Sequence, residues 1–255
     1  MTPAPSAGNE EQTQVSALPD APAETESQPA GEPQLPELIH FLDFLTSPIV
    51  ELVVGSGDQK TTMTAHQSLL LESPVLSEKV KAFSEGPRRI ELLDDDAEAF
   101  CYFLQHLYSR DYSLSPSEAA DGTDDSGDQL LKHARVYTLA GNLGIPALQS
   151  LAHSKIHRIN STSRGELAYA RYVYSNTAAD DVTIREPVSN FWGLRSHVLR
   201  HEAEGDFKQL CLDVPQFCFD VLSVVLDQRE KRAQDQAEAE FAVKGSGRKR
   251  LRSGV

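Results

Sequence analysis

The chain has 255 residues, 40% of them hydrophobic and 24% charged, enough apolar content for one or two packed domains. Its net charge of −14 argues against general affinity for nucleic acid, which needs clustered Lys and Arg. The cysteines, Cys101, Cys211 and Cys218, are odd in number and contain no Cys-x-x-Cys, so neither a disulfide framework nor a zinc knuckle is expected and a reducing compartment fits better.

Residues 1–34 are rich in Pro, Ala, Glu, Gln and Ser, with no Lys, Arg or aromatic residue. Such a segment cannot bury enough apolar surface to offset its ordering entropy, so a disordered acidic tail is expected. Its start, "MTPAPSAGNEEQTQ", lacks a basic segment followed by an apolar one, and no apolar run along the chain is long enough to span a bilayer. Neither a signal peptide nor a membrane segment is expected. Asn160-Ser161-Thr162 fits a glycosylation acceptor, which without secretion reads as a chance match.

Order is expected from about residue 35. Leu38, Phe41, Leu42 and Leu45 recur at helical spacing, and Pro48 ends the pattern. "VELVVG" alternates as a strand, Gly55-Ser56-Gly57-Asp58 is a turn, and "KTTMTA" is the return strand. His66 then opens "QSLLLES", and Pro74 starts a second short helix that Gly86-Pro87 breaks. "RRIELL" reads as a third strand with Ile90 and Leu92 on one face. "DDDAEAFCYFLQHLYSRDY" is the clearest helix, with Asp95 as N-cap, Glu98 three residues on, and an apolar stripe of Phe100, Phe103, Leu104, Leu107 and Tyr108. Residues 113–128 form an acidic loop whose aspartates miss the spacing of a calcium loop.

From residue 129 the pattern is helical throughout. Val136, Leu139, Ala140 and Leu143 form one stripe closed by Gly144; Leu148, Leu151, Ala152, Ile156 and Ile159 form the next. The last helix carries Phe217, Cys218, Val221, Leu222, Val225 and Leu226, a stripe wide enough to predict burial against neighbours. Residues 233–255 return to polar composition as a flexible tail ending "GSGRKRLRSGV".

Taken together, "VELVVG", "TAHQSLLLESPVL", "RRIELLDDDAEAFCYFLQHLYSRDY" and "HARVYTLAGNLGIPALQSLA", in this order and spacing, resemble a BTB/POZ domain over about residues 37–158. The helical stretch after residue 158 is similar to that of the fungal-type members, which carry such an extension. The resemblance implies an α+β fold, a small three-stranded sheet covered by a helical cluster, followed by an all-α extension. The expected segments are a tail over 1–34, a BTB/POZ domain over 35–160, the extension over 161–232, and a basic-ended tail over 233–255. His66, which alone could be a ligand, a base or a core residue, becomes by resemblance a structural histidine at the strand-to-helix junction. Ile49 stands where the family often places an aspartate facing its dimer or ligand groove.

Many BTB proteins dock the cullin scaffold of a ubiquitin ligase through a hydrophobic residue, any residue, then Glu. Here Phe83-Ser84-Glu85 holds that place, with Tyr108 flanking by analogy. An apolar anchor beside an acidic group suits a partner with a basic rim. Arg248, Lys249, Arg250 and Arg252 form a basic cluster of the nuclear-import kind, too small to make this acidic chain a DNA reader. His153/His157 and His197/His201 are spaced i, i+4, as zinc ligands can be, but neither pair has the adjacent Glu of a metalloprotease helix or an evident third ligand. There is no Gly-x-Ser-x-Gly, phosphate loop or dinucleotide fingerprint. The expectation is a non-enzymatic interaction protein of the cytoplasm or nucleus, without cofactor, metal or small-molecule substrate. Its partners are expected to be a cullin with a client, or further copies of itself as a scaffold.

Overall fold

The computed structural model describes residues 41–84, 86–113 and 127–246. The expected N-terminal tail, the middle of the acidic loop and the end of the C-terminal tail lie outside them. The order begins α1 (Phe41–Thr46), β1 (Ile49–Val54), β2 (Thr61–His66), α2 (Gln67–Leu70), α3 (Pro74–Lys81), β3 (Arg89–Leu92), α4 (Ala97–Ser109). It continues with α5 (Asp128–Leu143), α6 (Pro146–Ile156), α7 (Ser163–Asn176), α8 (Val182–Leu194), α9 (Ser196–Glu202), α10 (Glu204–Asp213) and α11 (Pro215–Ser246). This is the expected mixed α+β architecture, a small sheet beside a helical cluster.

The sheet runs β2-β1-β3, with β1 antiparallel to β2 and parallel to β3. A central strand must be apolar where both neighbours and the helices cover it, and Val50, Leu52 and Val54 are fully buried. Ile90 and Leu92 are buried on one face of β3, as the alternation requires.

The Ser-Pro step is a joint between distant segments. Ser73 is fully buried; its Oγ accepts from the Leu76 N–H at 3.2 Å, capping α3, and donates to the Leu143 carbonyl at 2.6 Å. One hydroxyl thus satisfies an orphan donor of one helix and an orphan acceptor of another. Beside it Gly144 closes α5 at φ 71°, and a Cβ there would lie 3.1 Å from Pro74 Cδ. Glycine is required by the left-handed backbone and by the close approach alike. Replacing Ser73 with Ala removes the cap and strands the Leu143 carbonyl; the expected loss is about 2 kcal/mol by urea unfolding.

Three expectations differ from the structure. Helix α1 buries Phe44, which lies outside the expected pattern, and leaves Leu42 and Leu45 exposed. The N-cap of α4 is Asp96, which accepts from Ala99 N at 2.8 Å, while Asp95 lies one position outside the cap, its carboxyl raised by burial and by Asp94. Residues 233–246 continue α11 as helix, in place of the expected tail.

The expected boundary between domain and extension falls at 160/161. The buried residues from Phe44 to Val221 form one cluster. The junction is a backbone contact: a Cβ on Gly127, at the start of α5, would lie 2.6 Å from Gly165 Cα in the first turn of α7. Two glycines let these backbones touch.

Candidate interaction surface

His66 ends β2 and precedes a helix of only four residues, which cannot hold itself together. Its first N–H groups are satisfied from elsewhere. His66 N–H donates to Tyr108 Oη at 3.1 Å, Gln67 N–H to the Pro48 carbonyl at 2.8 Å, and Ser68 N–H to Ser47 Oγ at 3.2 Å. The His66 ring also meets Tyr108 Oη through Nδ1 at 2.7 Å, edge-on to the phenol ring. With the backbone N–H donating to Oη, the phenol proton is free to go to Nδ1. His66 and Tyr108 therefore form a knot between the β2–α2 junction and the end of α4, the kind of contact a structural histidine makes. The same knot occupies the hydroxyl of Tyr108, so what that residue can offer a partner is the edge of its half-buried ring.

Phe83 follows α3, its N–H bonded to the Val80 carbonyl, and its ring is half-buried against the core. It is neither a free anchor nor a fully internal residue. Glu85, the acidic member of the expected motif, lies outside the described residues, as do Arg248, Lys249, Arg250 and Arg252. No hydrogen bond or ring contact joins Phe83 to Tyr108 among the described residues; they share the core on which both pack.

Of the histidine pairs that sequence spacing singled out, His153 and His157 bring their Nε2 atoms within 3.1 Å, and burial with the neighbouring ring lowers the His157 pKa. Two imidazoles make a pair, and among the described residues no three His, Cys, Asp or Glu gather as a metal site would need. His197 and His201 are exposed on α9. Burial, then a hydrogen bond donated to Cys218, pushes the Cys211 thiol up to about 12, which keeps it protonated and a poor nucleophile near neutrality.

Sequence reasoning missed the most heavily engaged polar side chains because each sits within an ordinary helical pattern. His133 on α5 is buried, with Nδ1 2.8 Å from Tyr112 Oη. Lys155 stands 4.9 Å over the Tyr112 ring and pairs with Asp111 at 2.8 Å. Arg185 on α8 is buried, with no carboxylate partner among the described residues. It donates to the Thr177 and Tyr174 carbonyls at 2.5 and 3.2 Å and lies 4.9 Å over the Tyr174 ring. Both constellations are spent on internal contacts.

A cleft of about 260 Å³ opens between α6, α7 and α8, walled by Tyr169, Pro187, Val188 and Phe191 and edged by His157, Asn160, Glu166 and Arg195. The Arg195 guanidinium stacks 4.1 Å from the Phe191 ring centre. Several large apolar side chains face solvent. Leu42 and Leu45 on α1 and Ile49 on β1 are exposed, as are Leu71 and Val75 around α2–α3, Leu212 on α10, and Phe219, Leu222 and Leu226 on α11. The exposure of Leu222 and Leu226 contradicts the burial expected from the wide stripe of the last helix: Phe217 and Val221 face the core, but the opposite side of the same helix is open.

No single helix among the described residues is long and apolar enough to cross a membrane. Compared with known proteins, no family model matches the chain, and no curated protein matches it in sequence.

Proposed function

We propose that the chain is a protein–protein interaction module of the BTB/POZ type, acting as an adaptor that brings a client to a cullin-type ubiquitin ligase. The observation that carries the family reading is the interlock of the segments that suggested it. The Ser73-Pro74 step of one sits on Leu143-Gly144 of another, and His66 is bonded to Tyr108 of a third. The residue types at those positions are the ones the joints need. A three-stranded sheet beside a helical cluster is compatible with such a fold.

The adaptor reading rests on Phe83. Its half-open ring directly after α3 is an apolar anchor whose backbone is already held by Val80, and so is partly pre-ordered for a partner. The basic cluster at 248–252 would let such an adaptor work in the nucleus. Calorimetric titration of the full chain with a cullin N-terminal region tests this. The expected result is micromolar or tighter binding that weakens at least tenfold in both Phe83→Ala and Glu85→Ala, with both variants still folded at the temperature of the titration. Absence of heat from a folded chain overturns it.

A second reading, a self-associating scaffold, is favoured by the α1–β1 edge. Leu42, Leu45 and Ile49 are 67%, 48% and 51% exposed there, and Ile49 adds no charge to oppose burial between copies. On that reading the titration is silent and the chain is a dimer held by this edge.

A further inference from the structure

Helices α10 and α11 meet at a corner. Only Val214 separates them, and the chain turns by 115° there. The corner is held on both sides: Val214 N–H donates to the Leu210 carbonyl at 2.8 Å, and Phe217 N–H donates to the Val214 carbonyl at 3.1 Å. Phe207 lies one turn before Cys211 on the same face of α10, and its ring meets that of Phe217 on α11 edge-on, centres 6.1 Å apart. Cys211 is nearer the apex than Phe207, and Cys218 directly follows Phe217. Two helices that touch at Phe207 are closer still at Cys211, where the thiol reaches Cys218 in a hydrogen bond. Both cysteines are half-buried, open enough to admit a small oxidant, whereas Cys101 on α4 is exposed.

We propose that Cys211 and Cys218 are a redox-active pair, which a hydroperoxide closes into a disulfide across the α10–α11 corner. Burial keeps the Cys211 thiol protonated, so Cys218 attacks first. Its sulfur, as thiolate, attacks one peroxide oxygen; the O–O bond breaks, and the departing hydroxide takes up a proton as water. Cys218 is then a sulfenic acid. The Cys211 sulfur attacks the Cys218 sulfur. The S–S bond forms, the S–O bond breaks, and the second hydroxide leaves as water with the Cys211 proton. The two thiols lose two electrons together, and the peroxide gains them.

The fold holds the two sulfurs side by side before reaction, so closure adds little ordering cost. A dithiol reductant reopens the bond by exchange. In a reducing environment such a pair rests as thiols and closes when peroxide rises. The cross-link fastens α10 to the segment of α11 that carries Phe217 into the core.

Peptide mapping of the full chain after hydrogen peroxide, with remaining thiols blocked by N-ethylmaleimide, tests the proposal. Cleavage after Lys208 and Arg229 releases both cysteines in one peptide. That peptide is expected two hydrogens lighter than its reduced form, without maleimide, and to take two labels after dithiothreitol. In Cys211→Ser, oxidation stops at the Cys218 sulfenic acid, which dimedone captures. In Cys218→Ser, Cys211 reacts with peroxide about tenfold more slowly than Cys218 does in Cys211→Ser. Serine is nearly isosteric, and Trp192 emission confirms that each variant is folded. Two maleimide labels on the wild-type peptide, at a peroxide concentration that oxidises Cys101, overturn the proposal. So does a disulfide that uses Cys101 or a second chain, or oxidation of Cys218 to sulfinic acid while Cys211 stays free. Equal rates in the two single variants overturn the order of attack.

Discussion

Replacing Arg185 with Ala lowers the unfolding free energy by about 3 kcal/mol, the range for removing one partner of a buried charged network. The guanidinium lies at the C-terminal end of α7, where the last carbonyls have no helical partner, and it satisfies those of Tyr174 and Thr177 while donating from Nε to Thr177 Oγ1 at 3.1 Å. Its positive charge is also well placed against the helix dipole. Alanine leaves both carbonyls dry and opens a cavity against the Tyr174 ring. Lysine does not repair this, because a single ammonium cannot fork to two carbonyls and a hydroxyl at once. Tyr174 in turn donates to Asp220 of α11 at 2.8 Å, so the loss spreads into the helix that the body presents outward. The chain's one tryptophan, Trp192, is buried on α8 near this joint and supplies a local signal. Since the core is continuous, Trp192 fluorescence and far-UV circular dichroism shift together in urea for Arg185→Ala. A fluorescence transition that moves alone would mean that the extension melts as a separate domain.

The second large effect is acid sensitivity centred on His133. Burial first, and Lys155 second, lower its pKa from 6.5 to about 4, so the folded ring stays neutral and Nδ1 can accept from Tyr112. Burial also raises the Tyr112 phenol above its ordinary range, which keeps it a donor. In the unfolded chain His133 protonates near 6.5. Between those values the unfolded state binds the extra proton, so stability is complete above pH 6.5, falls as the pH drops, and levels off for this group below 4. The difference of about 2.5 units corresponds to about 3 kcal/mol. Asp111, held below its usual range by Lys155 and the Tyr112 N–H, loses its contribution at still lower pH. His133→Gln removes the histidine component. The wild-type minus variant stability, measured by urea unfolding, changes by about 3 kcal/mol between pH 7 and 4. A pH-independent difference would contradict the buried neutral ring.

Much of the fold was legible because its punctuation is local. Alternation marks β1 and β3, Pro74 opens a helix, and Gly144 closes one at positive φ. What was not legible depends on choices the sequence leaves equal. The run Asp94-Asp95-Asp96 offers three chemically identical caps, and only the path of the chain selects Asp96. Asn160-Ser161-Thr162 has the composition of a linker, yet Thr162 caps α7 through the Gly165 N–H, and Gly165 touches Gly127. Residues on both sides of the expected 160/161 boundary thus meet at the Gly127–Gly165 contact. Periodicity found the apolar stripe of α11 but cannot tell a neighbour in the same chain from a second molecule. His66 and Tyr108 have separate roles in the sequence, one structural and one at a docking surface, and in the fold they are each other's partners.

The adaptor reading is tested most directly by amide hydrogen exchange on the full chain with and without a cullin N-terminal region. Slower exchange is expected at α3, residues 82–84 and the last turn of α4 only, with α11 and the α1–β1 edge unchanged. Unaltered exchange through α3 and residues 82–84 would contradict that reading.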